Sequence, residues 1–307
     1  MIVKTDCKIA LIGCGHWGQY ILRDLRILGC HVIVVARSAE SRRRAEEGGA
    51  FRIVSCINEL PPVEGIIIAT STKTHASLLE EALHFRVPIF VEKPLTCDSE
   101  SARLLASKGE GRIFVMDKWR YHAGILKLAE IARDEELGPV IGLRSKRLQW
   151  GYPHDRRDVD AVWMLTPHDL SIALEIFGYL PAPRHAVAEK ANGQTTSLIA
   201  IMGDHPWFHC EVSVRSPLNK REIKLHCRDG IAVLPDSYSD HLQIIRGSIH
   251  DTAPSEEKRP IDNLMPLLEE LKAFIHHLEG GPVPKSSAEE GANIVKTIDA
   301  LRRLAQV

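Results

Sequence analysis

The sequence predicts an α/β chain in two parts. Residues 1–118 read as a doubly wound parallel sheet, and residues 119–307 as an α+β domain on a largely antiparallel open sheet. Three observations predict this. Short β-branched apolar runs alternate with longer stretches whose apolar residues recur at intervals of three and four, as far as residue 118. Three glycines mark the junction between the first run and the first helical stretch. Beyond 118 the alternation stops, and strand-like segments follow one another.

In chain order, "KIALIG" is the first strand and "HWGQYILRDLRILG" the first helix. "HVIVVA" and "SAESRRRAEEGGA" are the second pair, and "FRIV" is a short third strand. "EGIIIAT" precedes the helix "KTHASLLEEALHFR", "VPIFV" precedes "DSESARLLASKG", and "RIFVM" closes the series. Uninterrupted apolar runs suit strands buried on both faces. In the second part, "AGILKLAEIARDEELG" is a helix ending at Gly138 and "GPVIGLRSKRLQW" a long strand. "HDLSIALEIFG" reads as a short helix ending at Gly178. Strands then dominate 184–247: "TTSLIAIMG", "WFHCEVSVRS", "REIKLHC", "GIAVLPD" and "HLQIIRG". "DTAPSEEKRP" (251–260) is polar and proline-bearing, which predicts an exposed loop. Helices "LMPLLEELKAFIHHLEG" and "SSAEEGANIVKTIDALRRLA" finish the second domain.

Composition excludes several classes. With 307 residues, 44% hydrophobic and 26% charged, the chain can bury a substantial core. A net charge of −1 leaves no broad electrostatic footprint for nucleic acid or an anionic membrane. No apolar run approaches the roughly 20 residues of a membrane span. The N-terminus leads straight into a strand, so no signal peptide is expected. The seven cysteines are odd in number, scattered and without C-x-x-C spacing. That pattern suits reduced thiols in a cytoplasm, not a disulfide framework or a zinc site.

"IGCGHWG" places Gly13, Gly15 and Gly18 in G-x-G-x-x-G spacing, with His16 and Trp17 between them. After a strand and at the start of a helix, this is the Rossmann dinucleotide fingerprint. The first glycine makes the tight turn, the second admits the pyrophosphate, and the third lets helix and strand pack closely. The helix N-terminus offers the phosphates its N–H groups. At the end of the second strand, an NAD enzyme usually carries an acid for the ribose 2′-hydroxyl. Here the sequence reads Ala36, Arg37, Ser38. A guanidinium and a hydroxyl would hold a 2′-phosphate that a carboxylate would repel, so NADP is favoured over NAD. Arg42, Arg43 or Arg44 could add charge, although Arg43 and Arg44 also read as a solvated helix face.

"EGIIIATSTKTHASLLEEALHFRVPIFVEKPLT", together with the glycine motif upstream, resembles the glucose-fructose oxidoreductase / inositol dehydrogenase / MocA family. The late "PLLEELKAFIHHLEGGPVP" resembles that family's penultimate helix. The resemblance implies that Glu92-Lys93-Pro94 lies beside the nicotinamide and that Lys93 is the family's substrate-facing lysine. A lysine there can stabilise charge on a substrate oxygen, and Pro94 restricts the backbone before it. The resemblance also implies that Thr70, Thr74 and His75 line the nicotinamide and ribose side, with packing an open alternative for His75. His168 matches a histidine that in much of the family follows an aspartate by four residues, but position 164 is Met164. "RLQWGYPHDRRDVDAVW" and "W-x-x-x-P-H-D" resemble a branch associated with nucleotide-sugar 3-dehydrogenases, which implies that Tyr121, Arg147 and Trp163 approach the substrate. Core packing for Tyr121 and Trp163, and an ion pair for Arg147, remain open. His154 and the Asp155-Arg156-Arg157 run read as an ordinary solvated loop.

The resemblance therefore implies hydride transfer between a nicotinamide and a secondary alcohol or ketone of a sugar, sugar derivative or nucleotide sugar. His168 would be the base and Lys93 the oxyanion partner. It also implies a homodimer or homotetramer formed through the second domain's sheet. Two alternatives stay open: a non-catalytic dinucleotide sensor, favoured by Met164, and a redox-neutral lyase or glycosidase with tightly held cofactor. No histidine spacing suggests a metal site, and no G-x-S-x-G elbow suggests a hydrolase.

Overall fold

The structure, a computed structural model, describes residues 7–152, 159–247, 250, 253–262 and 264–307. The chain forms two compact units: residues 1–118 with 265–295, and residues 119–264 with 296–307.

The first unit carries a parallel six-stranded sheet. Its strands are β1 (Lys8–Ile12), β2 (His31–Val35), β3 (Arg52–Val54), β4 (Gly65–Ile68), β5 (Ile89–Glu92) and β6 (Ile113–Met116). Helices α1 (Gly18–Ile27), α2 (Ala39–Glu47), α3 (His75–Ala82) and α4 (Ser99–Gly109) connect them. The order β3-β2-β1-β4-β5-β6 is the doubly wound arrangement expected from the alternation, with its reversal between β1 and β4. β1, β4, β5 and β6 are buried almost throughout, which is why their sequences run apolar without alternation.

The second unit holds α5 (Ala123–Arg133), β7 (Val140–Trp150), α6 (Ala161–Phe177), β8 (Pro183–Ala191), β9 (Gln194–Met202), β10 (Trp207–Ser213), β11 (Arg215–Cys227), β12 (Gly230–Leu234), β13 (His241–Arg246) and β14 (Ser255–Pro260). Its eight strands run β14-β13-β12-β11-β7-β10-β9-β8. Every pairing is antiparallel except β7 with β10. The α+β reading with a largely antiparallel sheet therefore holds.

Three segments differ from expectation. The segment read as an exposed loop contains β14, an edge strand paired with β13; Asp251 and Thr252 lie outside the described residues. Its polarity is that of a charged sheet edge, where Glu257 and Arg259 pair with each other and with Arg246 and Glu136. The helix placed at "HDLSIALEIFG" begins much earlier, at Ala161, and runs through Pro167. Asp160 caps it by accepting from the N–H groups of Val162 and Trp163. The third difference is at the C-terminal end. The helix α7 (Pro266–Leu278) belongs to the first unit. Its Leu267, Leu271, Phe274 and Ile275 share a core with α1 and with the strand residues Ile67, Phe90 and Phe114. Phe274 stacks on Phe90 with ring centroids 4.9 Å apart. The last helix, α8 (Ala288–Leu304), begins in the first unit and ends in the second.

Candidate active site

The glycine turn has the geometry its spacing predicts. Gly13 has φ +94°, and a Cβ there would lie 2.7 Å from the Ala69 carbonyl oxygen. A Cβ on Gly18 would lie 2.3 Å from the Gly13 carbonyl oxygen, so only glycine lets α1 start this close to the turn. A Cβ on Gly15 would meet nothing within 4 Å, so this glycine is not there to pack. Trp17 occupies the N-cap position of α1, no side chain caps the helix, and its first turn has no acid. These features fit a pyrophosphate: open backbone at Gly15 and no competing carboxylate or side-chain cap at the helix start. His16 is exposed. The Lys118 ammonium lies 4.5 Å from the Trp17 ring centroid.

At the end of β2, Ala36 is buried and puts no carboxylate near a ribose. Arg37 and Ser38 are exposed. Ser38 caps α2 by accepting from Ser41 N–H at 3.1 Å. Arg43 and Arg44 are engaged with Glu47 and Glu40 one turn away, and Arg42 donates to Ser55 Oγ. Among the described residues neither Arg37 nor Arg42 makes an ion pair, and of the two only Arg42 has a side-chain bond, to Ser55. Ser41 is a residue the sequence reading passed over. Its Oγ accepts from Cys14 N–H at 3.1 Å, tying the glycine turn to α2. The S-x-x-S spacing of Ser38 and Ser41 was the available sign.

The loops after β4 and β5 are bolted together by His75. The ring is buried; Nδ1 lies 2.9 Å from the Pro94 carbonyl oxygen and Nε2 3.3 Å from that of Thr70. Burial lowers its pKa, so the neutral ring is favoured. A neutral ring donates to one carbonyl at a time. His75 thus works by packing and bridging. Thr74 Oγ1 donates to Ser71 O at 2.8 Å, which leaves Thr70 Oγ1 to donate to Thr74 Oγ1, also at 2.8 Å. Lys93 and Glu92 are both buried at the carboxyl end of β5, and the Lys93–Pro94 peptide is cis. In the first unit, then, Gly13, Gly15, Thr70 and Lys93 all follow the carboxyl ends of three neighbouring parallel strands, β1, β4 and β5.

In the second unit, Arg147 is committed internally. Its Nε donates to Asp169 Oδ2 at 2.7 Å, and its guanidinium lies 4.5 Å from the Trp119 ring centroid. Both charged side chains are almost fully buried, 4% and 0% exposed, so the ion-pair alternative describes Arg147. Trp163 is buried, with Arg302 6.0 Å from its ring centroid, and Tyr121 is half-buried. From Ala161 to Leu174 every residue of α6 is buried except His168. Met164, one turn earlier, is buried where a proton-relaying aspartate was looked for. His154 and Asp155 to Arg157 lie outside the described residues. Among the described residues, no group of three or more His, Cys, Asp or Glu is arranged to hold a metal ion, and no helix is long and apolar enough to cross a membrane.

Residues 7–111 match the model of the GFO_IDH_MocA family, described as an oxidoreductase family with an NAD-binding Rossmann fold. This stretch, about a third of the chain, is similar to that family's nucleotide-binding part. An inositol 2-dehydrogenase of Arthrobacter sp. is 34% identical over 150 residues, 45% of this chain; the match spans 44% of that protein's own length. A UDP-N-acetylglucosamine 3-dehydrogenase of Acidithiobacillus ferrooxidans is 29% identical over 229 residues, 70% of each chain. Its solved structure superposes with a TM-score of 0.84 over 98% of both chains at 21% identity. A levoglucosan dehydrogenase solved with NADH and levoglucosan superposes at 0.86 over 98% of both chains at 17% identity. These superpositions show that the chain shares the fold of the two dehydrogenases.

Proposed function

We propose that this chain is an NADP(H)-dependent oxidoreductase acting on a secondary alcohol or ketone of a sugar, sugar derivative or nucleotide sugar. One observation carries the reading. The glycine turn, the Thr70–His75 loop and the Lys93 tip follow three adjacent strands beside the sheet's reversal point, where open α/β sheets bind ligands. The sugar class is supported by the names of the inositol and UDP-N-acetylglucosamine dehydrogenases. Arg37 and the buried Ala36 support the preference for NADP.

A bound nicotinamide supplies the hydride donor or acceptor. Lys93 holds the substrate oxygen by an N–H bond and stabilises negative charge on it as the hydroxyl proton departs. His168, the one unburied residue along most of α6, is the proton acceptor in oxidation and the donor in reduction. Arg147 is assigned no substrate contact, since Asp169 and Trp119 already hold it. Homo-oligomers form through the face of the eight-stranded sheet on which Val187, Ile199 and Ile201 are exposed.

The test is binding of NADP and NAD, followed by a fluorescence screen of sugars, polyols and nucleotide sugars with the preferred dinucleotide. NADP should bind at least about tenfold more tightly. Equal or reversed affinities overturn the cofactor assignment, and absence of hydride transfer across the panel overturns the enzymatic one. Met164 favours a second reading, a dinucleotide-binding sensor that performs no chemistry. Binding without any transfer is its signature.

A further inference from the structure

Glu270 is a carboxyl where the fold offers it nothing to bond. It lies on the inner face of α7, 1% exposed, and neither oxygen has a hydrogen-bond partner among the described residues. The register explains what surrounds it. Phe274 stacks on Phe90 of β5. One helical turn before Phe274 is Glu270, and two strand positions after Phe90, on the same face, is Glu92. Glu92 pairs across the sheet with Met116, and the next residue is the buried Asp117. Three acids, one on α7, one ending β5 and one just after β6, are therefore neighbours at the carboxyl end of β5, directly before Lys93. The charged groups acting on Glu270 are Glu92, Asp117 and Lys118. Asp24, the buried acid of α1, is bonded by Arg23 Nε at 2.7 Å and is not among them.

An ionised Glu270 beside Glu92 and Asp117, with neither of its own oxygens bonded among the described residues, is costly in so dry a space. Burial, then Glu92 and Asp117, push Glu270 well above the usual carboxylate range, against the opposing pull of Lys118. We propose that Glu270 is a positioning residue for Lys93: it sits as an uncharged acid against Glu92, so that α7 holds the stem of the Lys93 tip, and ionising it drives that stem away. Glu270 touches no substrate in this account and acts through Glu92. The functional consequence rests on the reading of Lys93 given above; the protonation and the mechanical link do not.

The linkage has a definite sign. A carboxyl that stays protonated when folded stabilises the fold least at high pH. Stability relative to an uncharged isostere is intact below the ordinary carboxylate pKa and declines as pH rises toward the folded-state value. The experiment therefore compares the full-length protein with Glu270→Gln and Glu270→Ala. Thermal midpoints from pH 5 to 8 should favour Glu270→Gln increasingly as pH rises. The infrared carbonyl band of a protonated buried acid should be present in wild type and absent from Glu270→Gln. The Lys93 Nζ resonance, assigned with Lys93→Arg, should keep its position in Glu270→Gln and move in Glu270→Ala. If the protein turns over substrate, kcat should fall about tenfold in Glu270→Ala and recover in Glu270→Gln. A Glu270→Gln protein that loses ground as pH rises, or a wild type without the acid band, overturns the uncharged state. An unmoved Lys93 resonance in Glu270→Ala overturns the positioning role. A protein that transfers no hydride but shows all three physical signatures refutes the enzymatic reading and leaves this one standing.

Discussion

Two buried clusters of charge, one in each unit, have opposite characters. In the second unit, Arg147 meets Asp169 in a bidentate approach and lies over Trp119. In the first, Glu92, Asp117 and Glu270 crowd acid against acid beneath the Lys93 tip. The first cluster pairs its charges directly, whereas in the second neither oxygen of Glu270 has a bonded partner among the described residues. A compensated pair is expected wherever a fold must bury an ion. Crowded like charges, close to a lysine at the strand ends, are where perturbed groups gather for function. The same distinction sorts the exposed arginines, since Arg43 and Arg44 are answered by neighbouring glutamates and Arg37 is not.

The contrast is open to attack by mutation. The largest effect should come from half-removing the compensated pair. Asp169→Ala leaves a buried guanidinium without its partner and should cost about 3–5 kcal/mol in denaturant unfolding. Arg147→Met combined with Asp169→Leu should recover most of that loss. If the single and double variants are equally unstable, the pair has a role beyond mutual compensation. Next is Lys93→Ala, expected to lower kcat with the best substrate by about 10²–10³-fold, as for loss of one oxyanion donor. Full turnover in this variant would remove the lysine from the chemistry.

Arg37→Asp should reverse dinucleotide preference, with NADP affinity falling about tenfold or more relative to NAD, read by equilibrium binding. The same exchange at Arg43 should leave the ratio unaltered. The smallest effect belongs to the sheet edge. Bonds from Arg259 and then Arg246 lower the Glu136 pKa from its ordinary value to about 2. Stability from this depressed carboxyl is complete above the ordinary carboxylate pKa and is lost as pH falls toward the folded value. Glu136→Gln should therefore cost about 1 kcal/mol or less at neutral pH. Chemical unfolding at pH 7 and pH 3 should show the difference shrinking on acidification.

Most of the parallel sheet was legible because local and global signals coincide there. "IIIA" and "PIFV" are apolar on both faces, and the glycine spacing fixes where the first strand ends. Lys93 was legible for the same reason, as a charge stranded after a buried run. The partners were harder. Asp169 follows His168 in sequence, yet its bond to Arg147 depends on how α6 lies across β7, and no local pattern records that. Glu270 reads as one more polar position on an amphipathic helix, "PLLEELKAF", until Phe274 is known to sit on Phe90. The strand β8 did carry a sign: Asn192 and Gly193, with φ of 50° and 76°, form the tight turn into β9. The edge strand β14 carried none, because alternating charges with a proline describe a loop and a protected edge equally well.

The chain leaves the nucleotide-binding unit at residue 118 and returns to it only at 265. While the polypeptide is being made, the parallel sheet emerges first, with Phe90 and Phe114 exposed to water. The rings and methyl groups that α7 adds to this core are synthesised well over a hundred residues later. The unit made first is thus finished almost last. A truncated product ending after the sixth strand should be sticky and open to proteases, however complete its glycine turn.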